Sequence, residues 1–588
     1  MYYKRYQMLQ QYIDGEPQGV YKRGELLSDV SFPTLESCNE GNQNPDIPDP
    51  DSPIGQFLTV VSLFPMRNDV YVDAKHNDYR LSVSKDGYTW KDVICRKNER
   101  TLLDILYDKG EKLYIKGENS GSYDGNLSCS AGWEIEGNIM SLFYGDVFFD
   151  KTELSGYQKC FTFNSGYLIS AHRLVLPATT LSQYCYAYMF QSCSQLKIAP
   201  ALPATTLAGY CYTYMFAGCS SLITPPHLPA TTLSDGCYSR MFGNCQSLTT
   251  APALPATTLR KYCYNEMFSN CISLRNAPSL PTTTELPDSC YKRMYEDCIS
   301  LREPSDINSI TADKESCWKM YKGCTSLVSP PDINITTIGD SACEEMFSGC
   351  TSLVSPPEFS VTTMGKRACY QMFKDCTSLT ESPEINVTTV EEKCCYEMFV
   401  NCQSLTTAPV LLATTMAEQC YDSMFKNCTS LTTAPALPAT TLARACYGEM
   451  FSNCTALVNA PELPALTMVR GCYYQMFYNC DSLVVPPALP AMTMAQDCYN
   501  GMFKMCSSLE TAPELPAPRA TDGCYQEMFA NCSNLNYIKC LATTINAATI
   551  RWVYLNTNTG TFVKPSSANW SGKDKWDGIP PYWSVINI

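Results

Sequence analysis

L-P-A-T-T-L-A-R-A-C-Y-G-E-M-F-S-N-C-T-A-L-V-N-A-P, residues 437–461, is one copy of a sentence written fourteen times between about 174 and 535. Its Met recurs from Met189 to Met528, and every step is 26 residues except one of 27, between Met267 and Met294. A fixed period of this size predicts a solenoid, in which each coil buries its apolar face only against its neighbours. Met is followed by Phe in twelve copies and by Tyr in two, Tyr295 and Tyr321. Cys stands four residues after every Met, and Leu seven after, from Leu196 to Leu535. A second Cys usually stands four residues before Met, as at Cys185, Cys211 and Cys420.

Cys, Met and Cys at i, i+4 and i+8 fall on one face of a helix. Tyr and Phe at the following positions widen that stripe. Thr206 and Ser234 are placed as N-caps. Asn244, Gly323 and Asp375, just before the second Cys, suit a left-handed stop. Leu-x-x-Ala-Pro-x-Leu-Pro then supplies an extended piece that its two prolines keep short, with Leu202 and its equivalents pointing inward. The expected fold class is therefore α/β: a leucine-rich-repeat solenoid of about fourteen coils, each a strand, a Pro-Ala-Thr-Thr turn and a short helix.

The motif M-F-x-x-C-x-S-L, as in Met424 to Leu431, on a 26-residue period resembles the BspA-like leucine-rich repeats and the related repeat of bacterial surface proteins. The resemblance covers roughly 360 of the 588 residues. It implies a solenoid used for adhesion or protein recognition, with no catalytic residues to carry over.

The chain carries 34 cysteines, of which 29 lie in the repeat. A ladder of buried thiols is the plain reading. A disulfide within a coil fails, because helix positions i and i+8 are ~12 Å apart and a bridge needs Cα atoms within ~7 Å; bridges between neighbouring coils stay open. There is no C-x-x-C pair, and the three histidines, His76, His172 and His227, are scattered, so no metal site is expected. No Gly-rich phosphate loop and no Ser-His-Asp arrangement is visible, so neither a catalytic site nor a cofactor is expected. A net charge of −15 argues against nucleic acid, which wants a basic surface.

The chain divides in order. Residues 1–40, with Tyr6, Met8, Leu9, Tyr12 and Ile13, are too few to fold alone and read as a segment docking onto other virion proteins or a neighbouring copy; a frayed extension is the plainer alternative. Residues 41–54, G-N-Q-N-P-D-I-P-D-P-D-S-P-I, are a stiff acidic linker. Residues 55–145 alternate as short strands and predict a small β-sandwich. There S-K-D-G-Y-T-W, 84–90, reads as a hairpin turn. Residues 146–173, with Phe161, Phe163, Tyr167 and Leu168, predict an N-terminal cap for the solenoid at 174–540. Residues 541–588, with Trp552, Trp570, Trp576 and Trp583, predict a β-rich C-terminal cap or, more pointedly, an aromatic sugar platform.

The middle coils differ. From Cys317 to Cys395, Cys replaces the Tyr three before Met, and Pro-Ala-Thr-Thr becomes D-I-N-I-T-T or E-I-N-V-T-T. Charge also rises, which makes Arg302, Glu303, Asp332, Glu344 and Lys366 candidate binding residues; a less homogenised block of repeats is the competing reading.

Residues 1–17 are polar and hold no apolar leader core, and no stretch approaches the ~18 apolar residues of a membrane span. The opening Y-K-R-Y-Q-M-L-Q-Q-Y-I-D-G-E-P is similar to openings of tail-associated proteins of gut Bacteroides phages, crAss-like phages included. The expected function is a non-enzymatic recognition protein of a phage virion, assembled in the host cytoplasm and binding a host-surface protein or polysaccharide. A BspA-like adhesin on the bacterial surface is the alternative, and a capsule depolymerase the third.

Overall fold

The computed structural model describes residues 57–588, apart from 76, 119–124, 149, 155–161, 164, 359, 546, 555–558, 569 and 571–577. The segment at 1–40, the linker at 41–54, His76, Phe161 and Trp576 lie outside the described residues.

Alternating apolar residues build the first domain. Its strands are β1 (Leu58–Ser62), β2 (Asn68–Asp73), β3 (Tyr79–Ser84), β4 (Lys91–Cys95), β5 (Arg100–Leu106), β6 (Lys112–Gly117), β7 (Asn126–Cys129), β8 (Trp133–Asn138) and β9 (Leu168–Val175). One sheet has the order β4-β3-β6-β1-β8-β9 and the other β5-β2-β7. Every pair is antiparallel except β8 with β9. That parallel edge joins the two parts of the chain, because Ser170 of β9 bridges to Ile198 in the first full coil. The S-K-D-G-Y-T-W stretch is a turn, as expected: Asp86 Oδ1 accepts from the Tyr88 and Thr89 amides and from Ser84 Oγ.

The repeat region is a β-solenoid on 26-residue spacing, with almost no helix. This corrects the α/β expectation. In the coil around Met215, every second amide closes a tight turn on its own chain: Cys211 to Ala208, Thr213 to Tyr210, Met215 to Tyr212, Ala217 to Tyr214 and Cys219 to Phe216. The amides between them leave the coil. Tyr210, Tyr212, Tyr214, Phe216 and Gly218 donate to Asp235, Cys237, Ser239, Met241 and Gly243 of the next coil, at 2.8–3.0 Å. An isolated helix of this length leaves four amides and four carbonyls unpaired, whereas alternate turns send those groups sideways and weld the coils together. The φ angles of Tyr210, Tyr214 and Gly218 are 57°, 56° and 78°, left-handed every fourth residue, as type II turns require. A helix rotates its i+4 residue by about 40°; a four-residue turn unit does not, so Cys211, Met215 and Cys219 are all fully buried. Asn244, Gly323 and Asp375 are left-handed as expected, but as one of several such sites per coil and not as a helix stop. Ser234 is no N-cap either: its hydroxyl donates to Leu207 O at 2.6 Å.

The extended piece also shrinks. In most coils it survives as single bridges such as Ile198 with Thr224 and Thr180 with Thr206. Among the described residues of the coils, two-residue rungs form only at β10 (Glu285–Leu286), β11 (Thr311–Ala312), β12 (Thr337–Ile338) and β13 (Thr363–Met364), which pair in parallel.

The residue after Met stacks on its counterpart in the next coil from Phe190 to Phe529, with centroids 5.3–5.8 Å apart. Both ends of this column are covered. Phe163 stacks on Phe190 at 5.4 Å and meets Trp133 of β8. At the other end Trp552 closes on Phe529, packed by Phe562 and Trp570. The closing strands β14 (Tyr537–Lys539), β15 (Thr561–Lys564) and β16 (Ser584–Asn587) extend the parallel stack. Trp552, Trp570 and Trp583 are buried, and the indole N–H groups of Trp552 and Trp570 donate to Gly578 O and Ala542 O. These rings plug the core, so the sugar-platform reading falls for all three.

Candidate functional site

The interior offers no chemistry to a ligand. The second Cys of each coil donates its S–H to the carbonyl of the aromatic residue one coil back, as Cys219 does to Phe190 O and Cys428 to Phe399 O, both at 3.1 Å. Every described cysteine is buried and unbridged. Burial pushes the thiols of Cys193 and Cys454 up to about 12, far from the thiolate form that reacts or binds metal. Among the described residues, no three His, Cys, Asp or Glu side chains group so as to hold a metal ion. Among them, too, no helix is long and apolar enough to cross a membrane.

Positions on the ladder of turns vary from coil to coil, and the one two before Met is buried or half-buried throughout. Position two before Met holds Ala187, Thr213, Ser239 and Asn265 in the early coils, then Lys292, Trp318, Glu344, Tyr370, Tyr396 and Asp422 in the middle ones. Ion pairs lace this face between coils. Lys322 meets Glu345 at 2.5 Å, Lys374 meets Glu397 at 3.0 Å, Lys504 meets Glu527 at 2.6 Å, and Lys426 pairs with Glu449. Each pair is 23 residues apart, joining the second residue after one Met to the residue before the next. That spacing is present in the sequence and was readable there. Burial pushes the Glu345 carboxyl up, but the hydrogen bond and charge of Lys322, with Lys319 beside it, more than offset this and leave it below the usual range.

Trp318 is the centre of the densest part of this face. Lys292 Nζ lies 4.1 Å from its ring centroid, Lys319 Nζ 4.7 Å and the Arg293 guanidinium carbon 5.5 Å. Lys292 is paired with Glu315 at 2.8 Å, Lys319 with Glu345 at 3.3 Å and Arg293 with Glu296 at 3.0 Å. Burial raises the carboxyl of Glu296.

The five expected binding residues do not converge. Arg302 and Glu303 are exposed on the stretch after the repeat Leu, where Glu303 accepts from Asn276 Nδ2 at 2.8 Å. Asp332 is exposed at the start of the Thr-Thr bend. Glu344 is 6% exposed and held by both arms of Arg367, at 3.0 and 2.8 Å, so it is a structural partner. Lys366 pairs with Glu392 at 3.4 Å on the surface. Among the described residues no hydrogen bond or ion pair joins any two of the five. Sequence reasoning passed over Trp318, although it is the one Trp in that column.

The family model described as "BspA type Leucine rich repeat region (6 copies)" matches residues 167–301, 237–379, 345–484 and 446–556, about two thirds of the chain. The chain belongs to the BspA-type leucine-rich repeat family. No curated protein matches. Among solved structures, the chain is similar to one titled "Crystal structure of TLR13-ssRNA13 complex", at 12% identity and a TM-score of 0.24, covering 63% of this chain. The chain spans half the length of that protein, and at this TM-score the overlap carries no weight.

Proposed function

We propose that this BspA-type repeat protein is a non-enzymatic recognition protein, and that its solenoid grips a macromolecule on a cell surface. The observation that carries the reading is the division between inside and outside. Cys, Met, Phe or Tyr, and Leu hold their places coil after coil at zero exposure, while the exposed position six before Met changes from Asp235 to Lys261, Glu392, Arg444 and Gln496. A fixed core under a varied rigid surface is how repeat proteins present extended binding faces.

In its finer form, the protein is an appendage of a phage particle that contacts the bacterial host. The opening residues, similar to those of tail-associated proteins of gut Bacteroides phages, support that form. The family supports an adhesin equally well, and location separates the two. An antibody against residues 57–145, applied to a density gradient of an infected culture, is expected to mark the particle band; a signal in the cell envelope instead replaces the appendage with an adhesin. Labelled full-length protein is expected to bind target cells saturably. A complete lack of saturable binding to bacterial or host cells ends the recognition reading in both forms.

A further inference from the structure

The recognition reading names no contact point, and the surface around Trp318 supplies one. Several aromatic residues stand on the ladder outside the core columns. Some tyrosines there stack on each other, as Tyr188 does on Tyr214 at 5.1 Å and Tyr370 on Tyr396 at 5.0 Å. Among the described residues no aromatic ring stacks on Trp318; its counterparts in the two adjacent coils are Lys292 and Glu344. Three cations surround its half-buried ring at 4.1–5.5 Å, and Lys314 stands exposed within 4.0 Å of Glu315.

Donors exceed acceptors in this patch. The Trp318 indole N–H is buried with no hydrogen-bond partner among the described residues. The Arg293 Nε–H is also unpaired: Glu296 is 3.0 Å away, but outside hydrogen-bonding direction. A local surplus of N–H groups and ammonium charge on a chain of net charge −15 selects an anion at one place, where the overall field would repel it.

The surroundings also decide what kind of anion. A protein interface of ordinary size needs an apolar centre of several hundred Å². On this face the coils from Lys292 to Glu345 expose ion pairs, and their exposed aliphatics, Ile299, Ile310 and Val328, stand on other stretches of the coil. One aromatic ring amid fixed cations suits a small ligand that offers a C–H face to the ring and a carboxylate or sulfate to the lysines. We propose that Trp318, with Lys292, Arg293 and Lys319, forms a binding site for an acidic saccharide: a uronate, a sialate or a sulfated sugar. This rests on the recognition reading and gives it a ligand class.

The test is titration calorimetry on the full-length chain with oligomers of galacturonate, sialate and sulfated hexosamine, each beside its neutral counterpart. At least one acidic oligomer is expected to bind about tenfold more tightly than its neutral form, and to weaken several-fold between 0.05 and 0.5 M salt, at about those values, as screened charge requires. Trp318→Ala is expected to lower that affinity about tenfold or more, and Lys319→Gln by about threefold or more. Lys319→Gln leaves the ring and the core in place, so it decides the matter if the tryptophan variant melts early. Failure of every acidic oligomer to bind, equal binding of neutral forms, or affinity untouched in both variants overturns the site. A chain that binds cells saturably yet takes no acidic sugar leaves the recognition reading standing and ends this one. A chain that binds neither ends both.

Discussion

The outer and middle coils fill the same interior with different parts. In the outer coils a small Ala on the Pro-Ala-Thr-Thr bend accompanies a large Tyr three before Met: Ala204 with Tyr212, Ala256 with Tyr264, Ala439 with Tyr447, Ala491 with Tyr499, all buried. In three middle coils both change together, to Ile335 with Cys343, Val361 with Cys369 and Val387 with Cys395, again all buried. Volume lost at the ring returns at the bend, as close packing demands. The bend changes too. Where the outer coils have Pro203 or Pro438, the middle coil has Asn334, whose amide donates to Ile307 O at 3.1 Å and whose side chain donates to Asn308 Oδ1 at 2.8 Å. Proline has no N–H to give, which is one reason two-residue rungs appear in the middle. The middle block is thus a second, self-consistent solution to the same coil, and not a decayed copy of the first.

Mixing the two solutions is the strongest way to break the comparison. Cys369→Tyr with Val361 retained places a ring in an interior already filled, and the expected cost is about 3 kcal/mol, the upper part of the range for overpacking. The double change Val361→Ala with Cys369→Tyr is expected to recover most of that. Denaturant unfolding of both single variants and the double completes a cycle, with a coupling of about 1–3 kcal/mol if the positions compensate. Additive effects would separate the two positions and leave their joint variation without a packing cause.

How much of this was legible beforehand follows from the repeat period. The 26-residue spacing fixed which residues face inward, and Cys, Met, Phe and Leu are all buried where expected. Local conformation was misread because a step of four fits a helix and a four-residue turn unit alike; only the bonds between coils, such as Phe216 N to Met241 O at 2.9 Å, choose the turn. The C-terminal tryptophans look the same in sequence whether they plug a core or greet a sugar. Charged residues were chosen as binding candidates on abundance, yet Glu344 is consumed by Arg367. The more telling signal was a change of residue type in one column, which isolates Trp318.

The seams between the two solutions carry carboxyls held above their ordinary range. At the second seam Asp422, 9% exposed, is the first residue of its column after Tyr396. Burial pushes its carboxyl up to about 6, against hydrogen bonds from Gln419 and Ser423 and helped by the charges of Glu449 and Glu397. A folded-state value above the unfolded one means that the native protein holds this proton more tightly. Stability therefore falls as pH rises from about 4 through about 6, and is level above that. The expected loss is about 3 kcal/mol. Asp422→Asn removes the titration, so the difference in melting temperature between wild type and variant should grow from pH 4.5 to 7 or thereabouts. A constant difference over that range would place the carboxyl in water. At the first seam Asp313, raised to about 6 by burial and by the neighbouring Glu285 and Asp288, adds a slope of the same sign that the variant leaves in place.

The smallest effect concerns single oxygen atoms. Only two copies write Tyr for Phe after Met, and they are adjacent, Tyr295 and Tyr321. Both hydroxyls reach Ser305: Tyr321 donates to its carbonyl at 2.9 Å and accepts from its amide at 3.2 Å, and Tyr295 shares a hydrogen bond with its Oγ at 3.3 Å. Tyr321→Phe strands the buried amide of Ser305, and the expected cost is about 1–2 kcal/mol. Tyr238, in the other tyrosine column, is as deeply buried, but its hydroxyl has no partner among the described residues. Tyr238→Phe removes a desolvated group that makes no protein bond, so it should cost nothing or stabilise slightly. Chemical denaturation of the two variants side by side tests whether the tyrosines differ by partnership alone. Equal losses would mean that Tyr238 is also satisfied, by ordered water within the solenoid, and the outer coils would then enclose solvent that the middle coils, with Cys in place of Tyr, exclude.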